Sequence, residues 1–261
     1  MTPMSGSVRR LAIDALVVDI ADDPSELARL AADDAEMTIS AALSDRGQAN
    51  VMLATGNSQL AFLSDLVRRA IDWSRVVVFH MDEYLGMAPD HPASFGRYIR
   101  ERVADVVHPK AAHYVDGVNP AGGDAECARY AALLAEHPAD LCCLGVGENG
   151  HLAFNDPPVA DFADPLDVKV VELDEACRLQ QVGEGHFAGL ADVPTHAVTV
   201  TIPALLRARR VLAIVPESRK ATPVRRALEG PVAESCPATA LRSCDHARLL
   251  LDRGSASLLA G

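Results

Sequence analysis

The chain has 261 residues, with 24 Lys plus Arg against 36 Asp plus Glu and a formal charge of −12. A net negative field with no basic stripe repels a phosphate backbone, so nucleic acid is not expected as a partner. At 49% hydrophobic and 23% charged residues the composition is globular rather than disordered, and the length supports a core without metal or disulfide staples.

The six cysteines, Cys127, Cys142, Cys143, Cys177, Cys236 and Cys244, include no C-x-x-C pair and no spacing with histidine that suits zinc. They read as small buried hydrophobes. No window approaches the roughly 18 apolar residues of a membrane span, so no membrane partner is expected. The apolar run that ends at Asp14 is too short for a signal peptide. Free thiols without an export signal point to the reducing cytoplasm.

In chain order, short β-branched runs alternate with longer helical patterns. A strand over 15–19 precedes a helix opened by Asp23 and Pro24, an acidic cap with proline in the first turn, that runs to about Leu43. A strand over 50–54 enters Thr55-Gly56-Asn57-Ser58 and then a helix whose apolar positions Leu60, Phe62, Leu63, Leu66 and Val67 share one face. Next come a strand over 75–81, helices over 94–106 and 120–137, and a strand over 140–145 whose unbroken apolar run suits burial on both faces. Strands near 169–173, 197–201, 210–215 and 248–251 follow, with helices between them. Such βα units close most simply as a parallel sheet with right-handed crossovers. The expectation is an α/β fold, one doubly wound domain over 1–261, with a mostly parallel sheet and helices on both faces. No repeat or linker divides the chain. Ligands of such sheets lie outside the carboxyl ends of the strands, where the turns after Ala54, Met81 and Gly145 should converge.

Those turns hold the chemistry. Thr55-Gly56-Asn57-Ser58 offers hydroxyls and N–H groups at a helix start, suited to a phosphate monoester; it lacks the lysine and spacer of a nucleotide-binding P-loop. A plain serine-capped turn explains the same letters. In the second turn, His80-Met81-Asp82-Glu83-Tyr84-Leu85-Gly86, two carboxylates directly follow an apolar strand. Burying them is costly unless they are solvated, paired or used, so one is a candidate general base. A metal site from His80, Asp82, Glu83 and His91 has no spacing that selects a geometry and is not adopted. The third turn runs from Leu144 to Pro158. It holds Gly145, Gly147 and Gly150, which permit close approach to a ligand, and His151 flanked by Glu148 and Asp156, which offers proton transfer near neutral pH. After the strand over 210–215, Pro216-Glu217-Ser218-Arg219-Lys220 brings cations to the same sheet edge, with Lys220 the better placed to meet an anion.

Together these segments resemble the glucosamine-6-phosphate deaminase family, within the group that also holds 6-phosphogluconolactonases and sugar-phosphate-sensing domains. The resemblance runs from the helix after Pro24 to the strand near Leu250. Its most specific strings are MDEYLG with the following HPASF, and GENGHLAFNDPP. It implies that Asp82 moves a proton between C2 and C1 of the opened amino sugar and that His151 moves the ring-opening proton between O1 and O5. Acidic residues of the histidine turn would assist. Thr55, Gly56, Asn57, Ser58 and Lys220 would hold the phosphate, with Glu83 and Gly147 beside the substrate. The implied products are fructose 6-phosphate and ammonia, formed with no metal, nucleotide or vitamin cofactor.

Two positions depart from the family pattern. Asn149 stands where an Asp is usual and Asp156 where a Glu is usual, so the resemblance leaves either Glu148 to pair with His151, a different ring-opening route, or another substrate. No arginine near Arg178 matches the family's phosphate ligand. The competing readings are a 6-phosphogluconolactonase using His151 to activate water, a non-catalytic sugar-phosphate sensor, and a deaminase for another amino-sugar phosphate. A small-molecule sugar phosphate is the expected partner, and a homo-oligomer is compatible with the sequence.

Overall fold

The computed structural model describes residues 8–260. Eight strands form its main sheet: β1 (Arg9–Ile13), β2 (Leu16–Ala21), β3 (Ala49–Leu53), β4 (Val76–His80), β6 (Ala111–His113), β7 (Leu141–Leu144), β10 (Arg210–Val215) and β11 (Ala247–Asp252). Their order is β1-β2-β11-β10-β7-β3-β4-β6, parallel throughout except for the β1–β2 hairpin. The α/β fold, with a mostly parallel sheet and helices on both faces, is as the sequence predicts.

Alternation along the strands divides the apolar residues between two faces. Val51, Leu53, Val78, Cys143, Leu212 and Ile214 face α1 (Pro24–Arg46), α2 (Leu60–Leu66) and α3 (Phe95–Ile99). Met52, Val77, Phe79, Cys142, Val211 and Leu249 face the opposite layer, which includes α5 (Gly123–Glu136) and α8 (Ala221–Glu229). Asp23 caps α1 by accepting from the N–H groups of Ser25 and Glu26, while Gly47, at φ 73°, ends it in the left-handed region. Ala28, Ala31, Ala32 and Ala35 keep the inner face of α1 small enough to lie close on the sheet. The predicted helix over 94–106 passes from α3 through a π-helical turn, Arg100–Ala104, into α4 (Asp105–Val107). All six cysteines are free and buried. Among the described residues, no helix is long and apolar enough to cross a membrane.

The structure adds what the runs of apolar residues hid. β1 lies in the segment that the sequence offers only as too short a leader; three of its five residues are exposed, as suits an edge strand. The strands predicted near 169–173 and 197–201 leave the main sheet altogether. As β8 (Val168–Glu172) and β9 (His196–Val200) they pair antiparallel with each other, and β9 pairs antiparallel with β5 (Asp82–Tyr84). Lys169 and Glu172 keep part of β8 in contact with water, which a strand covered on both faces would not allow.

A charged network ties α1 to four strands at the edge of the sheet away from the turns. Asp19 is 0% and Asp34 4% exposed. Arg10 Nε donates to Asp19 at 2.7 Å, Arg210 Nε to Asp34 at 3.0 Å, and Arg248 to both carboxylates. Burial pushes both carboxyls up, but the hydrogen bonds and charges of these arginines outweigh it and hold both below the usual range. The stability they add is therefore complete above the unfolded-state pKa of about 3.9 and is lost as pH falls through the lower folded values. Replacing Arg248→Met leaves each buried carboxylate short of a partner and should cost about 3 kcal/mol, read from urea unfolding at neutral pH.

Candidate active site

At the carboxyl edge of the main sheet a single cleft gathers the turns after β3, β4, β7 and β10. Thr55, Gly56 and Ser58 line it from the first turn, Asp82 from the second, Gly147 and His151 from the third, and Lys220 from the fourth. The first turn is held from both sides. Gly56 has φ 98°, its carbonyl accepts from the Tyr98 hydroxyl at 2.9 Å, and the buried Gln59 amide donates to Ser58 Oγ and to the Ile214 carbonyl of β10.

Asp82 and Glu83 are consecutive strand residues, so their side chains leave β5 on opposite faces. Asp82 enters the cleft. Burial, reinforced by the charges of Glu83 and Asp156, raises its carboxyl well above the ordinary range. β5 also fixes the histidine turn, because Asp82 stands opposite Thr199 of β9 and Thr199 Oγ1 accepts from the Phe154 N–H at 3.1 Å. The Asn155 amide completes the link by donating to the carbonyls of Leu152 and Val200.

Within that turn the backbone folds back on itself, with Gly147 N–H donating to the His151 carbonyl and Gly150 N–H to that of Gly147. A Cβ on Gly147 would lie 2.2 Å from His151 Nε2, so only glycine leaves room for the imidazole. His151 Nδ1 lies 2.8 Å from Asp156 Oδ1, a close charge contact bent away from a straight hydrogen bond. Asn149 braces this pair: its amide donates to Asp156 Oδ1 at 2.9 Å and its oxygen accepts the His151 N–H at 3.0 Å. Burial pushes the Asp156 carboxyl up, yet the contacts with His151, Asn149 and the Cys177 thiol hold it below its usual range.

The family model described as glucosamine-6-phosphate isomerases/6-phosphogluconolactonase matches residues 22–164. A glucosamine-6-phosphate deaminase of Exiguobacterium sibiricum is 37% identical over 209 residues, 79% of this chain and 80% of that protein. The chain belongs to this family. Another member, a glucosamine-6-phosphate deaminase of Listeria innocua, is 33% identical over 82% of this chain and 89% of its own length. Among solved structures, a monomeric glucosamine-6-phosphate deaminase superposes with a TM-score of 0.83 at 30% identity, covering 93% of this chain and 99% of its own. A 6-phosphogluconolactonase from Trypanosoma brucei, at 19% identity and a TM-score of 0.74, covers 97% and 100% and shares the fold.

Three positions expected at the substrate or the reacting histidine do other work in this member of the glucosamine-6-phosphate isomerase/6-phosphogluconolactonase family. Glu83 is turned from the cleft; its carboxylate accepts from Ser94 Oγ at 2.7 Å and from the N–H groups of Tyr84, Phe95 and Gly96, anchoring the start of α3. Glu148 does not pair with His151. Its half-exposed side chain lies 3.7 Å from Arg219, because Asp156 already fills the place beside the imidazole. Asn57 lies outside the cleft lining and donates to the Glu184 carbonyl at 3.4 Å. Arg178 also stays outside, bound to the carbonyls of Leu190 and Val193.

The rejected metal set stays apart. His80 Nε2 accepts from the Val115 N–H in the core, where burial lowers the imidazole to about 4, while His91 lies exposed against the Ala93 N–H. Among the described residues, the group with ligand atoms within 4.8 Å of one another is His151, Asp156 and Cys177. Burial and the neighbouring carboxylates raise Cys177 well above its ordinary value, so it stands there as a neutral thiol.

Sequence reasoning missed Gln180, Gln181 and Glu184, which reach the cleft from α6 (Glu175–Gly183) and the residue beyond it. They come after β8, which lies outside the parallel sheet, so the rule that ligands gather at the exits of parallel strands carried no signal for them. For Glu83, a conversion to Gln weakens four hydrogen bonds at the head of α3. It should lower unfolding stability by about 1–3 kcal/mol while calorimetric binding of inorganic phosphate stays at the wild-type value.

Proposed function

We propose that the chain is a glucosamine-6-phosphate deaminase, converting glucosamine 6-phosphate and water to fructose 6-phosphate and ammonia. The observation that carries this reading is the buried carboxyl of Asp82, raised above its ordinary range, in the same cleft as His151 and Lys220. Relatives that share about 80% of the chain and bear that name support it.

In this mechanism the phosphate lies against Thr55, Gly56, Ser58 and Lys220, and that remote contact holds the sugar while the far end reacts. His151, oriented by Asp156, moves the proton between O1 and O5 that opens the ring, exposing an aldehyde at C1. The carbonyl acidifies the C2 hydrogen. The cationic amine of the sugar favours the ionised form of Asp82, whose proton passes to water; the carboxylate then takes the hydrogen from C2 and returns it to C1 of the enolic intermediate, while the proton that O1 gains is matched by one that leaves the ammonium nitrogen. The nitrogen at C2 is then an imine, which water hydrolyses to the ketone with release of ammonia. The reaction asks for no metal or organic cofactor. The reading places one working domain over 1–261 in the cytoplasm, where sugar phosphates are made and consumed.

Purified protein with glucosamine 6-phosphate should release ammonia and fructose 6-phosphate in equal amounts. Asp82→Asn should lower kcat by about 10²–10⁴-fold with little change in KM. Because the base is needed unprotonated, kcat/KM of the free enzyme should rise with pH through the elevated pKa of Asp82 and then level off. Turnover unaffected by Asp82→Asn, or hydrolysis of 6-phosphogluconolactone without ammonia release from the amino sugar, would overturn the reading.

A further inference from the structure

The anion subsite already holds an anion of the chain's own. Glu184, one residue beyond α6, lines the cleft with Gly56, Ser58 and Lys220, and its side chain is 6% exposed. Its Oε1 lies 3.1 Å from Arg219 Nη1 and accepts from the Gln180 amide at 2.9 Å, while Oε2 lies 3.5 Å from His186. A Cβ built on Gly56 would meet Oε2 at 3.9 Å, so the carboxylate rests directly on the turn that the proposed function assigns to phosphate.

Charge sharpens the conflict. Arg219 also contacts Glu217 at 2.7 Å and Glu148 at 3.7 Å, so this one guanidinium is divided among three carboxylates, of which Glu184 alone lines the cleft. Burial alone would favour neutralising Glu184, but the nearby His186, the hydrogen bond from Gln180 and the charges of Arg219 and Lys220 bring it down to about 2. It therefore stays ionised at any pH at which the enzyme works. A phosphomonoester adds about −1.5 to −2. Two anions of this size cannot share one pair of cations in a partly desolvated cleft.

We infer that Glu184 is a specificity-determining residue, an internal carboxylate that occupies the phosphate subsite and that the phosphate of the substrate must displace. This rests on the assignment of the cleft to a hexosamine phosphate. Its exit is local, since Glu184 lies on the segment after α6, and the polar contacts that hold its side chain there are those to Arg219, Gln180 and His186. Apparent affinity for any phosphate is reduced to the fraction of molecules in which the carboxylate has left, whereas an unphosphorylated amino sugar that leaves Glu184 in place bears no such loss.

The test compares Glu184→Gln and Glu184→Ala with Glu217→Gln, which removes a charge from Arg219 outside the cleft lining. Calorimetry with inorganic phosphate should show about tenfold or greater tightening in both Glu184 variants and a much smaller change in Glu217→Gln. With glucosamine 6-phosphate the gain should appear in KM rather than kcat, and KM for unphosphorylated glucosamine should not fall. Unchanged or weaker phosphate binding in folded Glu184 variants overturns the inference, as does an equal gain from Glu217→Gln. Should no variant release ammonia while phosphate binding tightens as stated, the deaminase reading fails and the displacement stands.

Discussion

A carboxyl group kept out of water at the exit of β4 is the constraint on which the site depends. An isolated carboxylate there is costly, and burial with the charges of Glu83 and Asp156 raises the Asp82 carboxyl well above its ordinary range. The burial comes from a second sheet. By pairing β5 with β9, the chain covers Asp82 and, through Thr199 and Asn155, locks the histidine turn to the same strands. Asp82 and the turn that carries His151 are thus placed by one element that is not part of the parallel sheet.

The same economy governs the anion subsite of an acidic protein. Lys220 is almost fully buried, which lowers its pKa, while Glu184 and other nearby carboxylates oppose that effect. A buried cation with no counter-charge is unfavourable, and Glu184 lines the same cleft with a charge that opposes the effect of burial on Lys220. In the proposed displacement, the carboxylate that balances Lys220 is also the one a phosphate must move, and it sits on the segment after α6 rather than on one of the sheet turns.

The parallel core and the three leading turns were legible in the sequence because each strand ends its apolar run where the turn chemistry begins. Asp82, His151 and Lys220 follow from that rule. Glu83 did not, since adjacent strand residues share every feature of composition and spacing, and only the pairing of β5 decides which of the two faces the cleft. β8 and β9 were legible as strands but not as a separate antiparallel sheet, because short apolar runs carry no mark of their partner. Glu184 was illegible for a different reason: its place in the subsite depends on how a segment more than 120 residues from Gly56 lies across the cleft.

The amide at 149 makes sense only with its neighbour. An acid at that position would set a second negative charge against Asp156, and in a buried pair of that kind one partner is driven to keep a proton. Asn149 instead donates to Asp156 through its amide and accepts the backbone N–H of His151 through its oxygen. One carboxylate, held ionised below its usual range, is then the sole charge in contact with the imidazole. The shorter Asp156 still reaches His151 Nδ1, at 2.8 Å, in a turn where Gly147 leaves room for the imidazole. An arrangement that looks damaged when each position is read alone keeps one carboxylate against the imidazole, as the proposed ring opening needs.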